Sequence, residues 1–292
     1  MDKMNTRRSS IKKIVGGAAM AFFSTNYASA APEALEKKFK SQVKHSVCKW
    51  CYDKIPLEEF CQSVKKIGIQ SVELVGPDQW PILKKHGLDC AMPEGAAIGI
   101  DKGWSDKSYH EKLISNYKEV IPLVAKAGYK NLITFSGNRR GMDDETGLSN
   151  CAEGIKKIIK TAEENNVVVV MELLNSKVDH GDYFADHTEW GVELCNRVGS
   201  ENFKLLYDIY HMQIMEGDVI ATIRKHHNYI AHYHTGGVPG RNEIDETQEL
   251  YYPAIIRAIL DTGFKGYVAQ EFIPKSEDKL ASLKRGVEIC DV

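Results

Sequence analysis

Strand-length apolar runs alternate with helix-patterned stretches eight times along this chain, and that rhythm limits its possible folds more than any other feature. The runs Val43–Cys51, Ser71–Val75, Leu88–Met92, Asn131–Phe135, Val167–Leu174, Phe203–Ile209, Ile230–His234 and Tyr267–Phe272 are rich in β-branched and aromatic residues and read as strands. Between them, apolar residues recur at three- and four-residue spacing, as in Leu113, Tyr117, Val120, Ile121 and Val124. This spacing predicts helices over Pro56–Lys66, Gln79–Lys85, Tyr109–Ala127, Asn150–Asn165, Thr188–Val198, Val219–Lys225, Tyr252–Asp261 and Lys279–Cys290. Gly68, Gly87, Gly128 and Gly263 follow helix ends, where a left-handed residue stops the turn. Strand and helix alternating eight times close into an α/β fold of the (β/α)8 TIM barrel type before they form an open sheet. A doubly wound sheet calls for a glycine-rich phosphate loop after its first strand, and none is present.

The barrel takes up 31–292, near the ~250 residues typical of one such domain. Residues 1–30 read as a twin-arginine export signal: Thr6-Arg-Arg-Ser-Ser-Ile-Lys12, an apolar stretch from Ile14 to Phe23, and an Ala28-Ser-Ala30 cleavage site. Ser10 stands where that signal usually carries Phe. The apolar stretch is too short to span a bilayer, and no cysteine near the cleavage site offers a lipid attachment. The expectation is a periplasmic or otherwise exported protein without a membrane anchor, cytoplasmic only if the signal does not function. A formal net charge of −2 and no basic stripe argue against nucleic acid as a partner. The seven cysteines are odd in number and lack framework spacing. Cys48 and Cys51 invite a redox or zinc reading, but residues three apart on a strand face opposite ways, so buried thiols are expected.

Chemistry concentrates where strands end. Glu172 follows an apolar run, and a carboxylate there costs several kcal/mol unless paired or metal-bound. Glu271 and Asp208 close their own strands in the same way. His232 and His234 share a strand face, and spacing does not choose between them. Three carboxylates and an imidazole gathered at the mouth of a barrel repel one another unless a cation sits among them, so the pattern predicts one divalent metal. Oxygen donors with one imidazole suit Mn²⁺ or Mg²⁺, with Zn²⁺ as the alternative. His211, on the loop expected after Asp208, and Arg241, beyond the seventh strand, are candidate substrate contacts; an arginine fork suits an anionic or polyhydroxy ligand. Glu73 on the second strand is expected to support the cluster or touch substrate. Asn138-Arg-Arg140, beyond the fourth strand, is a further candidate to reach substrate, whereas His226-His227 falls at the opposite end and reads as surface. Trp50, Trp80, Trp104 and Tyr252 either wall the pocket or pack the core.

Several of these segments carry a resemblance. Asp208-Ile-Tyr-His-Met-Gln-Ile-Met-Glu-Gly-Asp218, Glu172-Leu-Leu-Asn175 with Tyr183-Phe184, Val238-Pro-Gly-Arg241 and Glu249-Leu-Tyr-Tyr-Pro253 resemble the xylose isomerase-like barrel superfamily, its hydroxypyruvate isomerase branch most. The similarity covers most of the chain from Val43 to the end and excludes the export segment. It implies that Glu172, Asp208, His234 and Glu271 hold the metal, that Glu172 and Glu271 are the acid/base pair, and that His211 and Arg241 contact substrate. Histidine at 234 departs from hydroxypyruvate isomerases, which commonly have glutamine there, and matches the ketose 3-epimerases of the same superfamily. The export signal is a second departure. The resulting expectation is an isomerase that interconverts a small hydroxy-keto acid or sugar by proton transfer through a cis-enediolate. A ketose 3-epimerase is the runner-up, and a non-catalytic sugar-binding barrel is the alternative of another class. An endonuclease IV-like barrel would need more histidine and aspartate ligands and a basic groove. A homo-oligomer is compatible with all of these.

Overall fold

Seven of the eight predicted runs form parallel strands in the computed structural model, which describes residues 43–292; the proposed export segment lies outside the described residues. The strands are β1 (Lys44–Cys48), β2 (Ser71–Glu73), β3 (Asn131–Thr134), β4 (Val168–Glu172), β5 (Phe203–Asp208), β6 (Ile230–Thr235) and β7 (Tyr267–Gln270), in the order β2-β1-β7-β6-β5-β4-β3. The gap between β2 and β3 is filled by the remaining predicted run, Leu88–Met92, which is bonded on both sides without being a regular strand. On one side Asp89 N donates to Gln70 O (2.9 Å), Val72 N to Asp89 O (3.1 Å) and Leu74 N to Met92 O (3.0 Å). On the other, Ile133 N donates to Pro93 O (3.1 Å) and Asn131 Nδ2 to Ala91 O (2.9 Å). Regularity fails because Pro93 has no N–H to give and Ala91 N donates to the Ser71 hydroxyl (2.8 Å). The barrel nevertheless closes.

Helices α1 (Leu57–Ile67), α2 (Trp80–Lys85), α3 (His110–Ala127), α4 (Asp144–Glu164), α5 (Thr188–Val198), α7 (Val219–His226), α8 (Tyr252–Asp261) and α9 (Lys279–Cys290) follow the predicted pattern. Two differences have a local cause. α4 starts a turn and a half before the predicted Asn150, because Asp143 accepts from Thr146 N (2.9 Å) and caps it there. α6 (Ile209–Met215) replaces the expected loop, since Asp208 accepts from Tyr210 N (2.9 Å) and His211 N (3.4 Å). His211 therefore sits in the first turn of a helix. His226, expected at the surface, is buried, its Nε2 3.2 Å from Glu189 Oε1. All seven cysteines are buried and free.

Outward-facing strand residues and inward helix faces form the main core, which takes in Trp80, Trp104 and Tyr252. Inside the barrel, one side is apolar, built from Met92, Ile133, Val170 and Leu206. The side made by β1, β2 and β6 is polar, with Ser46, Glu73 and His232 all buried. The polarity of the barrel lining is thus segregated before the mouth is reached.

His45 points the other way from Ser46, out toward the helices, and burial lowers its pKa to about 4 despite the opposing charge of Asp291. An unfolded histidine takes up its proton near pH 6.5. The folded chain resists it until about pH 4, so stability is lost as pH falls across that window. At 1.36 kcal/mol per unit the loss approaches roughly 3 kcal/mol. Urea midpoints measured from pH 6.5 to 4 should fall more steeply for the wild type than for His45→Leu; parallel curves would contradict this assignment.

Candidate active site

The barrel's parallel strands bring four side chains to one rim. Glu172 ends β4, Asp208 ends β5, His234 is next to last in β6, and Glu271 directly follows β7. Asp208 and His234 are also register partners. One donor atom from each of the four lies within 4.8 Å of the others, and all four residues are buried. His234 Nδ1 is 2.5 Å from Glu271 Oε2 and 3.5 Å from Glu172 Oε1.

Arg241 reaches into this group from the loop after β6. Its Nη2 donates to Asp208 Oδ2 (2.8 Å) and to Glu271 Oε2, and its Nε to Glu271 O (3.2 Å). The guanidinium lies over the rings of Trp50 and Tyr210, at 5.4 and 5.2 Å from their centroids. Trp50 Nε1 donates to Glu271 Oε1 (2.7 Å), so both oxygens of Glu271 have donors. His211 is enclosed between Arg241, whose Nη1 is 2.7 Å from its Nε2, and Asn175, whose backbone N is 3.1 Å from its Nδ1.

Charge in this enclosure is uneven. Burial raises Glu172, with Glu271 adding to the effect. Burial carries Asp208 up to about 8, against the pull of Arg241. Glu271 goes the other way: burial opposes ionisation, but Arg241 and His234 outweigh it and hold the carboxyl well below its usual range. His234 is raised, because the charge of Glu271 and contacts to Cys48 and Glu172 overcome burial. His211 is kept neutral by burial and by Arg241. Metal-free, these groups cannot all carry their usual charges at once; a divalent cation removes that conflict.

The donor set fits such an ion. Three carboxylates and one imidazole converge, and Glu172 Oε1 is buried without a hydrogen-bond partner. Glu172, Asp208, His234 and Glu271 are the residues that would hold it.

A cavity of about 890 Å³ opens above the cluster. Glu172, Arg241 and Glu271 line it, with Trp50, Phe135 and Leu174 among the apolar wall residues; Asp208, His211, His234 and Glu73 do not. Glu73 lies deeper in the barrel, beneath His234, and His211 sits behind Arg241. Asn138, Arg139 and Arg140 are absent from the wall. Arg139 pairs with Asp144 and Asp186, and Arg140 reaches Asp101 O (3.1 Å), so both serve the loops. Trp50 and Tyr210 carry more of the site than the sequence indicated. The signal available for Trp50 was only its place near the end of the first predicted run, Val43–Cys51.

A family model described as xylose isomerase-like TIM barrel matches residues 61–289. The chain belongs to this family. It is 29% identical over 125 residues to a Homo sapiens protein provisionally named hydroxypyruvate isomerase, covering 43% of this chain and 45% of that one. The matched segment thus spans about half the length of that relative. D-psicose 3-epimerase of Ruminiclostridium cellulolyticum is 29% identical over 236 residues, covering 73% of this chain and 76% of that one. Among solved structures, an AP endonuclease, family 2, from Brucella melitensis superposes with a TM-score of 0.74 at 23% identity, over 82% of this chain and 96% of that one. That likeness shows the fold alone. No helix among the described residues is long and apolar enough to cross a membrane.

Proposed function

We propose that the protein is a metal-dependent isomerase that moves a proton between a carbonyl carbon and the hydroxyl-bearing carbon next to it in a small sugar or keto-acid. One observation carries this reading: of the four residues that converge on the candidate ion site, only Glu172 and Glu271 also line the cavity. Of those four, these two alone face the space a substrate would fill. The bound cation would supply Lewis-acid charge to steady a developing oxyanion. One glutamate takes the proton from the carbon beside the carbonyl, leaving a cis-enediolate, and a carboxyl returns a proton to the neighbouring carbon. Hydrogen changes place and no oxidant is needed. Arg241, buried against the rim with its guanidinium beside Glu271, is the fixed cation of the wall and orients substrate oxygens. The relatives named for hydroxypyruvate isomerase and D-psicose 3-epimerase support this class of chemistry.

A second reading within the class, epimerisation of a ketose, has its own support. The cavity stands in the upper part of the volume range of small-molecule sites, ample for a sugar and far more than a three-carbon acid fills. His234 also matches the epimerase pattern rather than the hydroxypyruvate isomerase one. Here the second glutamate returns the proton to the opposite face of the same carbon.

Incubation with Mn²⁺ in deuterated water, with hydroxypyruvate and a panel of ketoses, tests both readings. Carbon-bound deuterium should appear in at least one substrate. Its position separates isomerisation from epimerisation, and no incorporation into any of them would overturn the proposal.

A further inference from the structure

Beneath the rim cluster lies a second polar group that the proton-transfer chemistry does not use. Glu73, on β2, is fully buried, with its Oε1 2.8 Å from His232 Nε2 and 2.8 Å from His234 Nε2. Its other oxygen accepts from the Ser46 hydroxyl (2.5 Å). An oxygen placed equally close to two ring nitrogens is satisfied when both donate to it. A proton on that oxygen would serve only one of them. His232 stands edge-on to His234, with centroids 5.1 Å apart and planes at 83°, which restrains the ring from the side.

The consequence lies on the far side of the His234 ring. A neutral imidazole, the form that can bind a cation, presents the lone pair of Nδ1 when it donates through Nε2, and Nδ1 is the atom facing Glu271 Oε2 and Glu172 Oε1. In the other tautomer Nδ1 would carry hydrogen toward those carboxylates, and the nitrogen could not act as a ligand.

We propose that Glu73 is a positioning residue: by accepting from His234 Nε2, it selects the tautomer whose Nδ1 faces Glu172, Asp208 and Glu271, and so sets the affinity of that site for a divalent cation. The inference rests on the metal-dependent reading above. It deepens that reading by choosing, of the two roles expected for Glu73, support of a ligand over contact with substrate. Carboxylates behind metal-bound histidines typically contribute 10–100-fold in affinity.

The test is Mn²⁺ titration of the full chain, followed by the electron paramagnetic resonance of free Mn²⁺. Glu73→Leu has no acceptor and should bind about 10–100-fold more weakly. Glu73→Gln keeps a carbonyl oxygen in place and should recover most of that loss. Ser46→Ala, which removes a donor but leaves the acceptor, should bind like the wild type. Glu73→Leu binding as tightly as the wild type would overturn the proposal. So would Glu73→Gln binding as weakly as Glu73→Leu, because negative charge rather than the hydrogen bond would then be at work. If Glu73→Leu does not fold, ¹⁵N-histidine spectra of the Zn²⁺-loaded wild type decide: hydrogen on His234 Nε2 supports the proposal and a bare Nε2 overturns it. A wild type that binds no cation overturns this inference together with the reading beneath it. Tight wild-type binding with an unaffected Glu73→Leu overturns this inference alone.

Discussion

Glu172→Gln should lower carbon–hydrogen exchange by about 10²–10⁴-fold while the chain stays folded, the range that a positioned acid or base commonly supplies. The substitution keeps the shape and one oxygen, and removes the negative charge and the ability to take up a proton, so bound Mn²⁺ has to be measured alongside exchange. It is the cleaner of the two glutamate variants, because Glu172 Oε1 has no hydrogen-bond partner to lose. Glu271→Gln should cost activity to a similar degree, but it also disturbs Arg241, Trp50 and His234, all of which contact that carboxylate. Exchange into substrate in deuterated water measures the effect, with bound Mn²⁺ and the melting transition checked in parallel. A Glu172→Gln chain that retains Mn²⁺ and exchanges within tenfold of the wild type would remove Glu172 from the proton path. Asp208→Asn provides the contrast. Asp208 does not line the cavity, so its loss should appear first as weaker metal binding.

How much of this was legible in the sequence depends on whether a feature is local. The barrel was legible because each strand and helix writes its burial into its own periodicity. Glu172, Asp208 and Glu271 were legible because a carboxylate closing an apolar run is anomalous wherever it stands. α6 was hidden: a single capping carboxylate, Asp208, turns a strand end into a helix start, and apolar spacing does not report capping. The irregular eighth stave was hidden in the same way, since it turns on where one N–H of Ala91 is spent. Depth within the barrel was not legible at all. Whether His232 or His234 reaches the rim, and whether Glu73 touches substrate or a histidine, follows from the stagger of strands remote in sequence. Arg139 and Arg140 failed for a related reason, because their acidic partners on other loops become neighbours only on folding.

The second large effect concerns Arg241, whose guanidinium gives the rim cluster its fixed positive charge. Nη2 contacts Asp208 and Glu271 together, and both carboxylates are buried. Arg241→Met keeps much of the stem packed between Trp50 and Tyr210 but leaves those carboxylates without their ion partner. Breaking a buried pair from one side typically destabilises by roughly 3–5 kcal/mol. For a domain of this size each kcal/mol moves the melting temperature by about 2–4 °C, so the metal-free variant should melt on the order of 10 °C below the wild type. A divalent cation held by the same carboxylates is an alternative source of positive charge. A ligand at a thousand times its dissociation constant stabilises the folded state by about 4 kcal/mol, enough to restore most of the loss. Saturating Mn²⁺ should therefore raise the melting temperature more in Arg241→Met than in the wild type, where the guanidinium already neutralises part of the cluster. Calorimetry with and without Mn²⁺ measures both shifts. Equal Mn²⁺ shifts in the two chains would mean that the arginine and the ion do not serve the same carboxylates, and the charge logic of the rim would have to be redrawn.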